Sequence, residues 1–111
     1  MDDSTREFSG SPVWQGRNEE VSYPITTTNW GSSPTDVEAK LYSVSGGAYT
    51  DVTSTNLSGS PSVNGDVITT PVVKDLVAGT EYRMEVKFTS GSQIYEGFMR
   101  IYGSVRRVES R

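Results

Sequence analysis

Aromatic side chains are the residues of this sequence best suited to binding chemistry. Trp14 and Trp30 flank the first full predicted strand, and Tyr42 and Tyr49 lie in or beside later ones. Exposed tryptophan and tyrosine rings stack on sugar rings or anchor protein interfaces, because each joins a large apolar surface to a polar group. The other interpretation is that the tryptophans close the ends of a small core. A row of rings on one face would support binding, and dispersal of the rings through the core would exclude it.

Catalytic groups are scarce in this chain. It contains no histidine and no cysteine, which removes the commonest general base, the thiol nucleophile and the commonest metal ligand. Glu81 and Glu85 share one strand face but lie about 13 Å apart at ~3.3 Å per residue, too far for a glycosidase pair. No acidic calcium loop and no phosphate-binding glycine loop occurs. We therefore expect that the protein is not an enzyme and that it needs no cofactor and no metal.

The charge and hydropathy of the chain exclude two classes of partner. The net charge is −4, whereas domains that bind nucleic acid are usually strongly basic. No apolar run approaches the roughly 20 residues of a membrane span, and the acidic, polar first residues are unlike a secretion signal. We expect synthesis in the cytoplasm, with neither nucleic acid nor membrane as a partner.

The two ends of the chain carry opposite charge. Residues 1–20 hold five carboxylates and two arginines, and residues 100–111 hold four arginines and one carboxylate. One interpretation is two solvated tails. The other is self-association, either head to tail through these complementary ends or through an open edge strand. Composition divides the chain into a flexible N-terminal arm (1–11), a β-domain (12–103) and a basic C-terminal tail (104–111).

Strands with alternating residues are what must position the aromatic side chains. The clearest spans residues 81–89, where Tyr82, Met84, Val86 and Phe88 share one face and charged residues share the other; such period-two alternation is typical of a half-buried strand. About seven short strands separated by turns predict an all-β, two-sheet antiparallel sandwich. In the last strand Phe98 interrupts the pattern, which predicts a bulge at residue 97.

The segment before the clearest strand carries a family resemblance. Its pattern Leu-x-x-Gly-Thr-x-Tyr, from Leu76 to Tyr82, resembles the corner before the sixth strand of fibronectin type III and other immunoglobulin-like domains. The resemblance implies that Leu76 fills the core, that Gly79 turns the chain and that Tyr82 bonds back to the corner backbone. Antibody domains carry a cysteine where this chain has Met84, so only the wider immunoglobulin-like class is implied.

Two functional classes follow from these observations. Single sandwich domains of this size and composition resemble small accessory proteins of tailed phage or prophage particles, which implies a non-enzymatic structural or interaction protein associated with a virion. The alternative is a carbohydrate- or surface-binding module that uses the exposed aromatic residues. The position of the rings in the fold discriminates between the two.

Overall fold

The computed structural model describes residues 6–8, 11–28 and 33–104, and in these residues the chain is almost entirely β-structure. The elements, in chain order, are β1 (Arg6–Glu7), β2 (Val13–Gln15), β3 (Pro24–Thr26), β4 (Thr35–Ser45), β5 (Ala48–Asp51), α1 (Thr53–Asn56), β6 (Leu57–Ser58), β7 (Ser62–Asn64), β8 (Val67–Thr69), β9 (Val72–Val73), β10 (Glu81–Ser90) and β11 (Gln93–Gly103). The predicted all-β sandwich is confirmed. The strands outnumber the seven predicted because turns and prolines divide parts of the chain into pieces of two or three residues.

One layer is a large sheet with the strand order β1-β11-β10-β4-β5, in which β2 also pairs with β11. The long strands β4, β10 and β11 are antiparallel, as predicted. The short strands β1 and β2 instead run parallel to β11, at different heights along it. The sheet therefore begins before residue 12, inside the predicted N-terminal arm. Phe8 follows β1, is buried, and donates its backbone N–H to the carbonyl of Phe98 at 2.8 Å. The other arm residues, 1–5 and 9–10, lie outside the described residues, as does the predicted tail from residue 105 onward.

The second layer consists of a three-stranded sheet, β3-β8-β7, and a two-stranded sheet, β6-β9. An isolated antiparallel β-bridge joins Val21 to Val73 of β9. Pro24 stands on β3, an edge strand, where its missing N–H costs no ladder bond. The tight turn at Gly65, which has a φ of 62°, joins β7 to β8.

A hydrophobic core lies between the layers. The inward face of β10 is almost fully buried, as its alternation predicts. Residues from the second layer, such as Ile25, Ile68 and Val73, belong to the same cluster as Leu41 and Ile101 of the large sheet. Because side chains from both layers remove their apolar surface from water together, the core holds the two layers to each other.

The segment before β10 forms a closed corner. Leu76 is buried in the core, and Gly79 has a φ of 83°, a left-handed conformation that glycine adopts at no steric cost. The hydroxyl of buried Tyr82 accepts a hydrogen bond from the backbone N–H of Val77 at 2.9 Å. The N–H of Gly79 donates to the carbonyl of Gly103 at 3.0 Å, which attaches the corner to the end of β11.

Removing the Tyr82 hydroxyl tests how much this corner contributes to the stability of the fold. We expect Tyr82→Phe to lower the free energy of unfolding by about 1 kcal/mol, because the ring stays buried while the Val77 N–H loses its acceptor. Denaturant unfolding followed by circular dichroism measures the change. Tyr49→Phe is the matched control, since its hydroxyl is exposed and accepts only a 3.5 Å bond from Arg83. Equal losses in the two variants would contradict a stabilising corner.

The predicted bulge at residue 97 is wrong. The β10–β11 register is continuous from the pair Glu81–Tyr102 to the pair Ser90–Gln93. The irregularity lies in β4, where two residues, 36 and 37, stand opposite Phe88. Asp36 there has a φ of 52°. Phe98 breaks the apolar alternation of β11 for a different reason, because its side chain belongs to the opposite face of the sheet.

Candidate binding face

The outer face of the large sheet, opposite the core, carries a row of aromatic side chains. None of them belongs to the buried core. We call this set the aromatic face, and its members come from β2, β4, β5 and β11. They are Trp14, Tyr42, Tyr49, Phe98 and Tyr102.

One end of the aromatic face is a tryptophan–tyrosine pair. The parallel register places Trp14 of β2 beside Tyr102 of β11. Their ring centroids are 5.3 Å apart and the planes are tilted by 40°. Trp14 keeps 66% of its surface exposed although its neighbours Val13 and Gln15 are partly or fully buried. Trp14 therefore does not close the end of the core, which was one of the two interpretations of the tryptophans. Its ring is accessible for stacking on a ligand.

An arginine links the middle of the aromatic face to its far end. The guanidinium carbon of Arg83, on β10, lies 3.8 Å from the centroid of the Phe98 ring and 5.6 Å from that of the Tyr49 ring. Its Nε donates to Glu85 Oε2 at 2.9 Å, and its Nη1 donates to the Tyr49 hydroxyl at 3.5 Å. A cation over a ring face is attracted by the ring quadrupole. These contacts hold Arg83 flat against the sheet.

The far end of the aromatic face is a pair of tyrosines. Tyr42 of β4 and Tyr49 of β5 have ring centroids 6.3 Å apart. Tyr49 is 51% exposed, and Tyr42 is half-buried. Beside Tyr42, charged side chains surround a shallow depression of about 150 Å³. Its lining includes Glu38, Lys40, Glu85, Lys87 and Glu96.

Most basic groups on this face have an acidic partner. Arg83 pairs with Glu85 at 2.9 Å, Lys87 with Glu38 at 3.5 Å, and Arg100 with Glu7 at 2.6 Å. The hydrogen bond from Arg100 is the main cause that lowers the pKa of Glu7, and the same contact raises the pKa of Arg100. At these three pairs opposite charges adjoin one another, so they largely cancel each other's field.

The pair Arg100–Glu7 also bears on the charged ends of the chain. Glu7 belongs to the acidic end and Arg100 to the basic end, and their 2.6 Å contact is intramolecular. It joins β1 to β11, which the parallel register already places side by side. Two of the charges that the sequence offered for assembly are thus used within one molecule.

The structure brings together three of the four candidate binding aromatics. Trp14, Tyr42 and Tyr49 lie on one face, and Trp30 lies outside the described residues. The structure adds Phe98, Tyr102, Arg83 and Arg100 to them. Period-two alternation places residues 98, 100 and 102 on one face of β11, and this pattern could have identified three of these four from the sequence. The contacts between strands could not have been identified in that way.

Within residues 6–8, 11–28 and 33–104, no group of three or more acidic, histidine or cysteine side chains is placed to hold a metal ion. In the same part of the chain, no helix has the length and apolar character needed to cross a membrane.

No known protein family, curated protein or solved structure matches this sequence significantly.

Proposed function

We propose that this protein is a non-enzymatic binding module, with an immunoglobulin-like sandwich as its scaffold, that presents the outer face of its large sheet to a partner. The observation that supports the proposal is the set of five aromatic side chains on the outer face of the large sheet, of which Trp14 and Tyr49 are mostly exposed. Arg83 packs over the ring of Phe98 and lies near that of Tyr49. Large aromatic rings outside the core leave apolar surface in contact with water, which is unfavourable unless a partner covers it. Tryptophan, tyrosine and arginine are also the residues most enriched at the energetic centres of interfaces.

Rigidity is a second support for this function. The rings stand on β-strands, which hold side chains more precisely than loops do. Arg83 is restrained by Glu85, Phe98 and Tyr49 together. A partner therefore meets side chains that are already ordered, and less conformational entropy is lost on binding.

Affinity capture with matched variants tests the proposal. Immobilised protein is incubated with soluble, envelope and particle fractions of host cells, and the retained material is analysed by mass spectrometry and by carbohydrate composition. We expect the wild type and Val63→Ala to retain the same material, because Val63 is an exposed residue of β7 in the other layer. We expect Trp14→Ala and Tyr49→Ala to lose it. Retention by all four proteins would contradict binding through the aromatic face.

The location of the module and its self-association remain predictions from the sequence. Association with a phage or prophage particle rests on a likeness of fold and composition, and proteomics of purified particles tests it.

The strand β5 is a candidate for self-association through an edge. It is one terminal strand of the large sheet, and all four of its residues are exposed. Light scattering over a range of salt concentrations measures whether either route forms an oligomer.

A further inference from the structure

We infer that the aromatic face binds an extended, uncharged glycan lying across the strands. This inference rests on the proposed function and names the class of ligand. Three properties of the face carry it: its length, the exposure of its rings and the pairing of its charges.

The length of the aromatic face favours a chain over a compact molecule. Trp14 on β2 and Tyr49 on β5 are separated by β11, β10 and β4 in the sheet order. Four strand spacings of ~4.8 Å place the two ends about 19 Å apart. A single small ring covers only one end, whereas a short oligosaccharide reaches from the Trp14–Tyr102 pair to the Tyr42–Tyr49 pair.

The chemistry between the rings suits sugar hydroxyls. A pyranose has an apolar C–H surface, which stacks on an aromatic ring, and a rim of hydroxyl groups. Trp14 offers a ring that is 66% exposed. On β10, between the two aromatic pairs, the guanidinium of Arg83 is a donor and the carboxylate of Glu85 is an acceptor. Arg100 of β11 and Glu7 of the edge strand β1 form a second donor–acceptor pair on the Tyr102 side of the face. Hydrogen bonds to such charged groups are stronger than those between neutral groups.

The paired charges favour an uncharged ligand. An anionic polymer would have to compete with Glu85 for Arg83 and with Glu7 for Arg100, at contacts of 2.9 and 2.6 Å. A protein partner would have to remove these ion pairs from water, and desolvation of a pair costs about as much as its attraction returns. A narrow glycan leaves the sides of each pair hydrated, and its hydroxyls bond to the pairs without separating them.

Fluorescence titration with neutral oligosaccharides tests the inference. The chain has two tryptophans, so Trp30→Phe leaves Trp14 as the single tryptophan, which is excited selectively at the red edge of the absorption band. An array of neutral and anionic glycans first selects the backbone type, and linear oligomers from the disaccharide to the hexasaccharide are then titrated. We expect a saturable change in Trp14 emission and an affinity that rises with chain length until the oligomer spans the face. High salt should leave the affinity unchanged, because the ligand carries no charge.

Calorimetry with single variants locates the ligand. We expect Trp14→Ala to weaken binding of every oligomer by roughly tenfold or more, the usual loss when a central aromatic contact is removed. Tyr49→Ala should weaken only the long oligomers, since only these reach β5. Val63→Ala should match the wild type. A thermal melt of each variant excludes loss of folding as the cause.

The outcomes separate this inference from the proposed function. Binding of anionic glycans alone, with strong salt dependence, would overturn the uncharged ligand. Absence of binding to every glycan by the folded protein would overturn the glycan inference. If Trp14→Ala nevertheless loses its captured material in the affinity experiment, the binding module stands and its partner is a protein. If capture is also unaffected, both proposals fail.

Discussion

Phe88→Ala is expected to lower the free energy of unfolding by about 4 kcal/mol, the largest loss among the substitutions considered for this protein. Phe88 is completely buried on β10, and its ring stacks against Tyr95 with 5.6 Å between centroids. Truncation removes the apolar surface of the whole ring and leaves a cavity beneath Tyr95. Domains of this kind have a total stability of only about 5–15 kcal/mol, so the variant should be close to unfolding at physiological temperature.

The size of this loss depends on how far the segment of β4 opposite Phe88 can close over the cavity. Phe88 stands opposite the bulge in β4, where Asp36 has a φ of 52° and the backbone departs from a regular ladder. Urea unfolding measures the loss, and Phe88→Leu is the control, for which we expect about 1.5 kcal/mol because most of the volume is kept. A loss below about 2 kcal/mol for Phe88→Ala would indicate that the bulged segment closes over the cavity, contrary to this interpretation.

Gly103→Ala should be the second most damaging change, with a loss of about 3 kcal/mol. A Cβ on Gly103 would lie 2.1 Å from the carbonyl oxygen of Val77 and 3.0 Å from its carbonyl carbon. Both atoms are backbone, so no flexible side chain can move aside. The end of β11 and the corner must separate, which breaks the bonds from Gly79 N to Gly103 O and from Gly103 N to Thr80 O.

A second glycine distinguishes this clash from a conformational effect. Gly91 has a φ of 62° and nothing within 4 Å of an added Cβ, so Gly91→Ala should cost only about 1 kcal/mol through its left-handed backbone. Thermal unfolding of both variants compares the two costs. Gly103→Ala should also reduce the further effect of Tyr82→Phe, because the corner that Tyr82 stabilises is then already displaced. Equal destabilisation by the two glycine variants would show that the close approach to Val77 is not the cause.

Much of the fold could be predicted because local patterns and the global structure agree. The alternation of residues 81–89 predicts the buried face of β10, since a strand has only two faces and one of them must leave water. The placement of Leu76, Gly79 and Tyr82 in one corner was implied by the resemblance of this segment to immunoglobulin-like domains. The apolar alternation of β11 predicts a bulge at residue 97 wrongly, because Phe98, the residue that interrupts it, points away from the core.

The amino-acid sequence by itself determined the β-class, the inward face of the long strands, the absence of histidine and cysteine chemistry, and the identity of the aromatic candidates. Only the tertiary structure decided which of these candidates meet. Trp14 joins Tyr102 through a parallel pairing of strands 88 positions apart in the chain. Arg83 of β10 contacts Phe98 on the neighbouring strand β11 and Tyr49 on β5, which lies beyond β4 on the other side. Period-two patterns describe one strand at a time. The order of strands in a sheet is set by the burial of the whole core, and that order converts scattered aromatic residues into one continuous face.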